Sequence, residues 1–170
     1  VNLTSVHPRL KANLTAVEAE IRRLCRSDLP FLQEAADHVV SGRAKRLRPA
    51  VLLLAAEACL PADTPLPEQA VSCAAIVEII HTVSLVHDDI VDGAGLRRGE
   101  PSAASRWGNK VSVLLGDYLL ARAVSGMAER ADRSVWATLG SCTAEMCTAE
   151  ISEILHAGEA ASEDEYLEIV

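Results

Sequence analysis

Asp88, Asp89 and Asp92 stand at the end of an apolar run of helix length, His81 lies inside that run, and Arg97 and Arg98 follow it. On a helix Asp88 and Asp92 are i and i+4, so their carboxylates share one face about one turn apart. Asp89 is rotated about 100° from Asp88, on the flank of that face. Carboxylates this close raise each other's pKa unless a positive charge lies between them. Acids at the C-terminal end of a helix also oppose its dipole. A hard divalent cation relieves both conflicts, and Mg²⁺ in such sites completes its shell with water and substrate phosphates. The residue types and their spacing ask for a metal and a phosphorylated ligand.

A basic run, Arg43-Ala44-Lys45-Arg46-Leu47-Arg48-Pro49, lies upstream. Alone it would be a solvated charge cluster; ahead of an acidic helix it suits a small polyanion. His81 precedes Asp88 by seven residues, two helical turns, which places it on the metal-facing side. His87 reads as a packing or supporting residue.

The elements that must position these groups all read as helix. Leu10, Leu14, Val17, Ile21 and Leu24 recur at three- and four-residue intervals and predict an amphipathic helix over 3–26. Further helices are expected over 31–40, through Pro49 to about Leu60, and from Glu68 to about Asp92, where Gly93 and Gly95 end it. Residues 93–108 read as an irregular polar connection, followed by helices from Asn109 to Ala131 and from Asp132 or Ser134 to about Ala157. Ser162 with Glu165 has the spacing of a capping box that opens a last helix running to Val170. No segment alternates with a period of two, so the expectation is one all-α domain over 1–170, without a sheet.

Composition narrows the function classes. The chain has 170 residues, of which 49% are hydrophobic, and a net charge of −8. That charge argues against nucleic acid as a partner, because no extended basic surface is available to neutralise phosphates. Cys25, Cys59, Cys73, Cys142 and Cys147 form no CxxC pair and are expected as reduced, buried small hydrophobes in a cytoplasmic protein. No signal-peptide pattern opens the chain, and Val71–Leu85 is interrupted by Glu78 and His81, so no transmembrane segment is expected.

Taken together, the basic run, the His81–Asp92 helix and Arg97-Arg98-Gly99 resemble the front half of the trans-isoprenyl diphosphate synthase, or polyprenyl synthetase, family. The resemblance is continuous from Ser41 to Val170. It implies an isoprenoid-synthase-type helical bundle, here truncated or partly ordered, that joins isopentenyl diphosphate head-to-tail to an allylic diphosphate with Mg²⁺. It implies catalytic roles for Asp88, Asp89 and Asp92, with Asp88 and Asp92 as metal ligands and Asp89 assisting. Arg97 would contact the allylic diphosphate, and Lys45, Arg48, His81 and Arg98 would hold isopentenyl diphosphate. Ile80, Val83 and Ser84, one to two turns before Asp88, would line the product pocket, and the lack of an aromatic ring there favours products longer than farnesyl. Gly116 would allow close helix approach, with Asp117 supporting, and the family implies a homodimer.

The pattern departs from the family in places. Arg43-Ala44 replaces two glycines, and Ala149 and Glu153 replace a Gly and a Gln. The second Asp-rich motif and the Lys-Thr segment of the family's latter half do not occur, so the chain reads as a piece of a longer protein and is expected to be inactive by itself. Two other classes compete. One is a non-catalytic or regulatory subunit that keeps the scaffold. The other is a class I terpene cyclase, whose single substrate leaves Lys45, Arg48 and His81 unexplained.

Overall fold

The computed structural model of the protein describes residues 8–41, 45–156, 162, 163, 166 and 167. They fall into two compact units, 1–131 and 132–170. In the first unit, α1 (Pro8–Leu24), α2 (Pro30–Val40), α3 (Leu47–Ala58) and α4 (Glu68–Val91) follow in order. A short hairpin, β1 (Leu96–Arg97) and β2 (Glu100–Pro101), leads to α5 (Ala103–Trp107) and α6 (Asn109–Arg130). The second unit carries α7 (Arg133–Leu155), none of whose residues is buried. The expected start of the first helix at 3–7, Arg43 and Ala44, and Glu165 of the capping box lie outside the described residues.

α4 is the axis of the first unit and packs against α1, α2, α3, α5 and α6. Its sequence explains why. Ala70, Ala74 and Ala75 let neighbours approach closely, while Ile76, Ile79, Val83 and Val86 supply the apolar bulk, and all seven are buried. α1 lays its predicted stripe on this core: Leu10, Val17, Ile21 and Leu24 are buried, each worth about 1.5–3 kcal/mol. Its terminal carbonyls find partners on α6. Arg122 Nε donates to the Leu24 oxygen at 2.5 Å, and the Tyr118 hydroxyl donates to the Arg26 oxygen at 2.7 Å.

α4 and α6 are long and apolar enough, by length and composition, to cross a membrane. The sequence reading expected Glu78 and His81 to remove Val71–Leu85 from that class, and by length and composition they do not. Their setting here is that of core helices: α6 is the principal neighbour of α4, and the buried acids of α4 pair with arginines from outside it.

Two expectations need correction. The connection 93–108 is not wholly irregular, because Leu96 pairs with Pro101 and Arg97 with Glu100 in an antiparallel ladder. The intervening Arg98 and Gly99 have φ of 56° and 86°, the pattern of a type I′ turn. Strands of two residues are too short to show alternation, which is why the sequence hid them. Of the cysteines only Cys25 is buried, its thiol pushed up to about 12 by that burial. Cys59, Cys142 and Cys147 are exposed, the last two because they lie on α7.

Gly116 on α6 performs the role its position suggested. A Cβ there would overlap the His87 ring of α4. Gly116→Ala is expected to cost about 1–3 kcal/mol in urea denaturation, as overpacking does. Combining it with His87→Ala should recover most of that loss, a coupling read from the double-mutant cycle.

Candidate active site

The basic run is set by one residue that turns inward. Arg46 precedes α3 with φ 49° and ψ 38°, a left-handed conformation uncommon for a side chain this large. Its Nη1 donates to Glu78 Oε1 at 2.9 Å and its Nη2 to the Val40 carbonyl at 2.6 Å. Glu78 is only 4% exposed, so this is a buried ion pair between the basic run and the middle of α4. With Arg46 facing in, Lys45 and Arg48 are left exposed on either side of it.

His81 follows Glu78 by three residues on α4, and the ion pair therefore brings the run to it. Lys45, Arg48, His81 and Arg98 line one cavity of about 420 Å³, together with Arg46, Leu47 and Glu78. These are the four residues that the family resemblance grouped for one diphosphate. Burial holds the His81 ring below its ordinary pKa, and Arg48 pushes further in that direction, against the pull of Glu78, with Arg98 and Arg97 adding to the repulsion. His81 is thus a neutral imidazole among cations at neutral pH.

Sequence reasoning missed Arg46 and Glu78. The signal was present, since a carboxylate in the middle of an apolar helix must have a partner when it is buried. Nothing in one dimension said which arginine supplied it.

At the far end of α4 the three aspartates separate. Asp89 is 4% exposed and accepts from Arg97 Nε at 2.9 Å and Nη2 at 2.5 Å, both on Oδ1. This bond raises the Arg97 pKa, locking its charge. Asp88 is half-buried and Asp92, the residue that ends the helix, is exposed. Burial holds the Asp88 carboxyl above its ordinary value; Arg97 opposes that, while Asp92 and Asp89 add to it.

A second cavity of about 160 Å³ explains the division. It adjoins the first through Arg46, Glu78, His81 and Arg98, and its α4 wall includes Thr82, Leu85 and Asp89 but not Asp88. At about 100° per residue, His81 and Asp88 stay within about 20° in azimuth, yet the cavity is centred on the Thr82–Leu85–Asp89 side. His81 sits at the edge of that wall, and Asp88 falls just beyond it. Ile80 and Ser84 are half-buried and Val83 is buried, and none of the three lines either cavity.

Asp88 and Asp92 fit a hard cation by donor chemistry. They are oxygen ligands at a helix end that disfavours negative charge, and the Arg97 guanidinium, which attracts both, makes its hydrogen bonds to Asp89 instead. Among the described residues no group of three or more His, Cys, Asp or Glu side chains is arranged to hold a metal. A cation here would rest on few protein ligands and draw the others from its substrate and water, as Mg²⁺ does. His87 Nε2 lies 3.9 Å from Asp117 Oδ1, next to the Gly116 contact, and supports the helix pair from outside the cavities.

Two outcomes follow from this geometry. Arg46→Met or Glu78→Gln alone should lower stability by about 3–5 kcal/mol, because each strands a buried partner. The double variant Arg46→Met/Glu78→Met should recover most of it in urea denaturation. The lowered His81 pKa means the unfolded chain binds a proton more readily than the folded one. Stability should fall as pH drops below about 6.5, the unfolded histidine value, until the folded His81 itself protonates. His81→Gln should flatten that part of the pH–stability curve.

The comparisons with known proteins bear on the family and the fold. The family model described as polyprenyl synthetase matches residues 29–170. The chain is 38% identical over 154 residues to heptaprenyl diphosphate synthase component 2 of Geobacillus stearothermophilus, covering 91% of this chain and 47% of that protein. It is 36% identical over 159 residues to the all-trans-nonaprenyl-diphosphate synthase (geranyl-diphosphate specific) of Rhodobacter capsulatus, covering 93% and 48%. The polyprenyl synthase of Caulobacter crescentus, solved with calcium and isoprenyl diphosphate, superposes with a TM-score of 0.89 at 33% identity, over 99% of this chain and 50% of that one. The chain spans about half the length of the curated relatives it matches. With all-α architecture, the paired cavities and a family match over most of its residues, the chain belongs to the polyprenyl synthetase family.

Proposed function

We propose that this chain supplies the first wall of the active site of a polyprenyl diphosphate synthase, which condenses isopentenyl diphosphate head-to-tail with an allylic diphosphate. The observation that carries the reading is the convergence of Lys45, Arg48, His81 and Arg98 on one cavity beside the acidic end of α4. Lys45 and Arg48 are the exposed cations that would grip the isopentenyl diphosphate. Arg98 and the neutral His81 donate from the opposite wall.

Arg97 keeps donors that Asp89 does not use, since both bonds to Asp89 come from Nε and Nη2. Those remaining donors are the natural contact for the allylic diphosphate, held in a fixed direction by the buried carboxylate. Asp89 thereby acts as the anchor of Arg97 rather than as a metal ligand. Mg²⁺ held by Asp88 and Asp92 would neutralise charge on the departing diphosphate. The chemistry needs no protein nucleophile: the allylic carbon–oxygen bond breaks, a carbon–carbon bond forms to the isopentenyl double bond, and a proton leaves. The residues of this chain contribute by holding two anionic substrates together and stabilising the leaving group.

We place the product beyond farnesyl length. Ile80, Val83 and Ser84 put no ring beneath the aspartates, and the relatives in Geobacillus and Rhodobacter are named for seven- and nine-unit products. A cytoplasmic homodimer is part of the same reading. It would cover the apolar Val113, Leu114 and Val124 that α6 leaves exposed. A second reading, a subunit that works through a partner, is favoured by the two-component name of the Geobacillus relative and by the half-length match. The intact cation and acid sets favour the catalytic reading.

Turnover decides between them. Labelled isopentenyl diphosphate, farnesyl or geranylgeranyl diphosphate and Mg²⁺ are supplied to the chain by itself and to the reading frame in which it occurs. Elongated lipid from the longer protein alone, lost on chelation, is the expected result. Lys45→Ala or Arg48→Ala should then raise KM for isopentenyl diphosphate about 10- to 100-fold, the worth of a charged hydrogen bond, and leave KM for the allylic primer nearly unchanged. No product with any primer from either protein would put the subunit reading first.

A further inference from the structure

Arg97 and Arg98 sit on a hairpin whose own sequence does not fix its direction. Its strands are two residues long, and its turn places a non-glycine residue, Arg98, in the left-handed region. Within the loop, Ser102 closes the hairpin base: its N–H donates to the Gly95 carbonyl at 3.1 Å and its hydroxyl to the Ala94 carbonyl at 2.7 Å. Toward the body of the protein, the Ala94 N–H donates to the Asp89 carbonyl at 2.9 Å and Arg97 bonds the Asp89 carboxylate, both on one residue of α4, while Ser102 Oγ accepts from the Ser105 N–H at 3.1 Å and joins the hairpin base to α5. These ties hold the base and β1; β2 is held by a different residue.

His38 of α2 is that residue. Its Nε2 lies 2.9 Å from the Pro101 carbonyl on β2. A carbonyl only accepts, so Nε2 carries the hydrogen. Its Nδ1 lies 3.4 Å from Arg106 Nη1, which only donates, so Nδ1 is bare and the ring is the neutral Nε2–H tautomer. Arg106 is itself fixed by Glu34 at 2.6 Å. The imidazole plane is held as well: Trp107 meets it edge-on at 5.2 Å and 87°, Phe31 meets Trp107 at 6.1 Å and 79°, and Arg106 lies 4.7 Å over the Trp107 ring. His38 also faces the smaller cavity, across from Asp89, Arg97 and Arg98.

We propose that His38 is a positioning residue for the double-arginine hairpin: by holding Pro101 in its neutral Nε2–H form it sets the direction in which Arg97 and Arg98 face the diphosphates. The inference rests on the proposed function for its ligands and not for its geometry. Arg106, Trp107, Glu34 and Phe31 are then the support that selects the tautomer and orients the ring. With the base and β1 held at Asp89 of α4 and at the cap of α5, the His38 bond to Pro101 fixes the direction of β2 from α2.

The test uses His38→Phe, which keeps a ring against Trp107 and loses both hydrogen bonds, and His38→Gln, which keeps an N–H donor at similar reach. Both are made in the reading frame that contains the chain. Three quantities are measured: amide exchange at Ser102, calorimetric binding of isopentenyl diphosphate, and the urea midpoint. His38→Phe should speed Ser102 exchange and weaken binding, each about fivefold, the worth of one hydrogen bond, with the urea midpoint nearly unchanged. His38→Gln should return both to within about twofold of the parent. The proposal is overturned if the phenylalanine variant keeps parental exchange and binding, if glutamine is as impaired as phenylalanine, or if the urea midpoint falls in step with binding in both. Should the parent itself not bind isopentenyl diphosphate, the functional reading fails, and Ser102 exchange alone decides the role of His38. Faster exchange in phenylalanine but not in glutamine then supports it, and equal exchange overturns it.

Discussion

The buried pair of Arg46 and Glu78 is the contact on which the remainder of the site depends. As a source of stability such a pair is modest, because two desolvated charges repay little more than they lose. Its value is in register. Glu78 is one turn before His81, and Arg46 lies between Lys45 and Arg48, so one bond joins the segment bearing two cations to the helix bearing His81. The left-handed backbone at Arg46 is the strain this arrangement carries, and the second bond to the Val40 carbonyl helps hold it. A hydrophobic pair of equal volume would glue the elements together without specifying which residue of the run meets which turn of α4.

The same device occurs at the C-terminal end of the helix. Asp89 is buried and takes Arg97, just as Glu78 is buried and takes Arg46. Each inward acid takes one arginine, and the neighbouring charges, Lys45 and Arg48 in one case and Asp88 and Asp92 in the other, stand outside that bond. Structural ion pairs and functional charges are thus interleaved along the chain, one to three residues apart. The interleaving keeps a cation-rich cavity and an acid pair on one scaffold without their cancelling directly. It also accounts for a chain of net charge −8 presenting a local surface suited to polyanions.

Histidines share in this design. Burial keeps His81 uncharged among arginines, so it contributes a hydrogen bond without adding repulsion to an empty cationic cavity. His38 is held in a single tautomer by an acceptor on one nitrogen and a donor on the other. His87 packs into the space that Gly116 leaves. Three histidines in one helical unit do three different jobs, and no feature of their immediate sequence separates them.

The sequence by itself determined the helices, because apolar residues at three- and four-residue spacing, as in Leu10, Val17, Ile21 and Leu24, can be buried only on one face of a helix. It also determined the membership of the charged set, since motif and spacing are properties of one dimension. Tertiary structure decided which of those charges face one another. Asp88 and Asp89 are adjacent in sequence and part company because a helix turns about 100° between them and the packing of α2, α5 and the hairpin selects one azimuth. Arg46 and Arg48 look alike in the run, and only the presence of Glu78 opposite one of them makes it structural. The hairpin was invisible for a related reason: its two-residue strands owe their pairing to a turn and to tethers from α2 and α4, and a contact such as His38 to Pro101, 63 positions apart, leaves no local pattern to read.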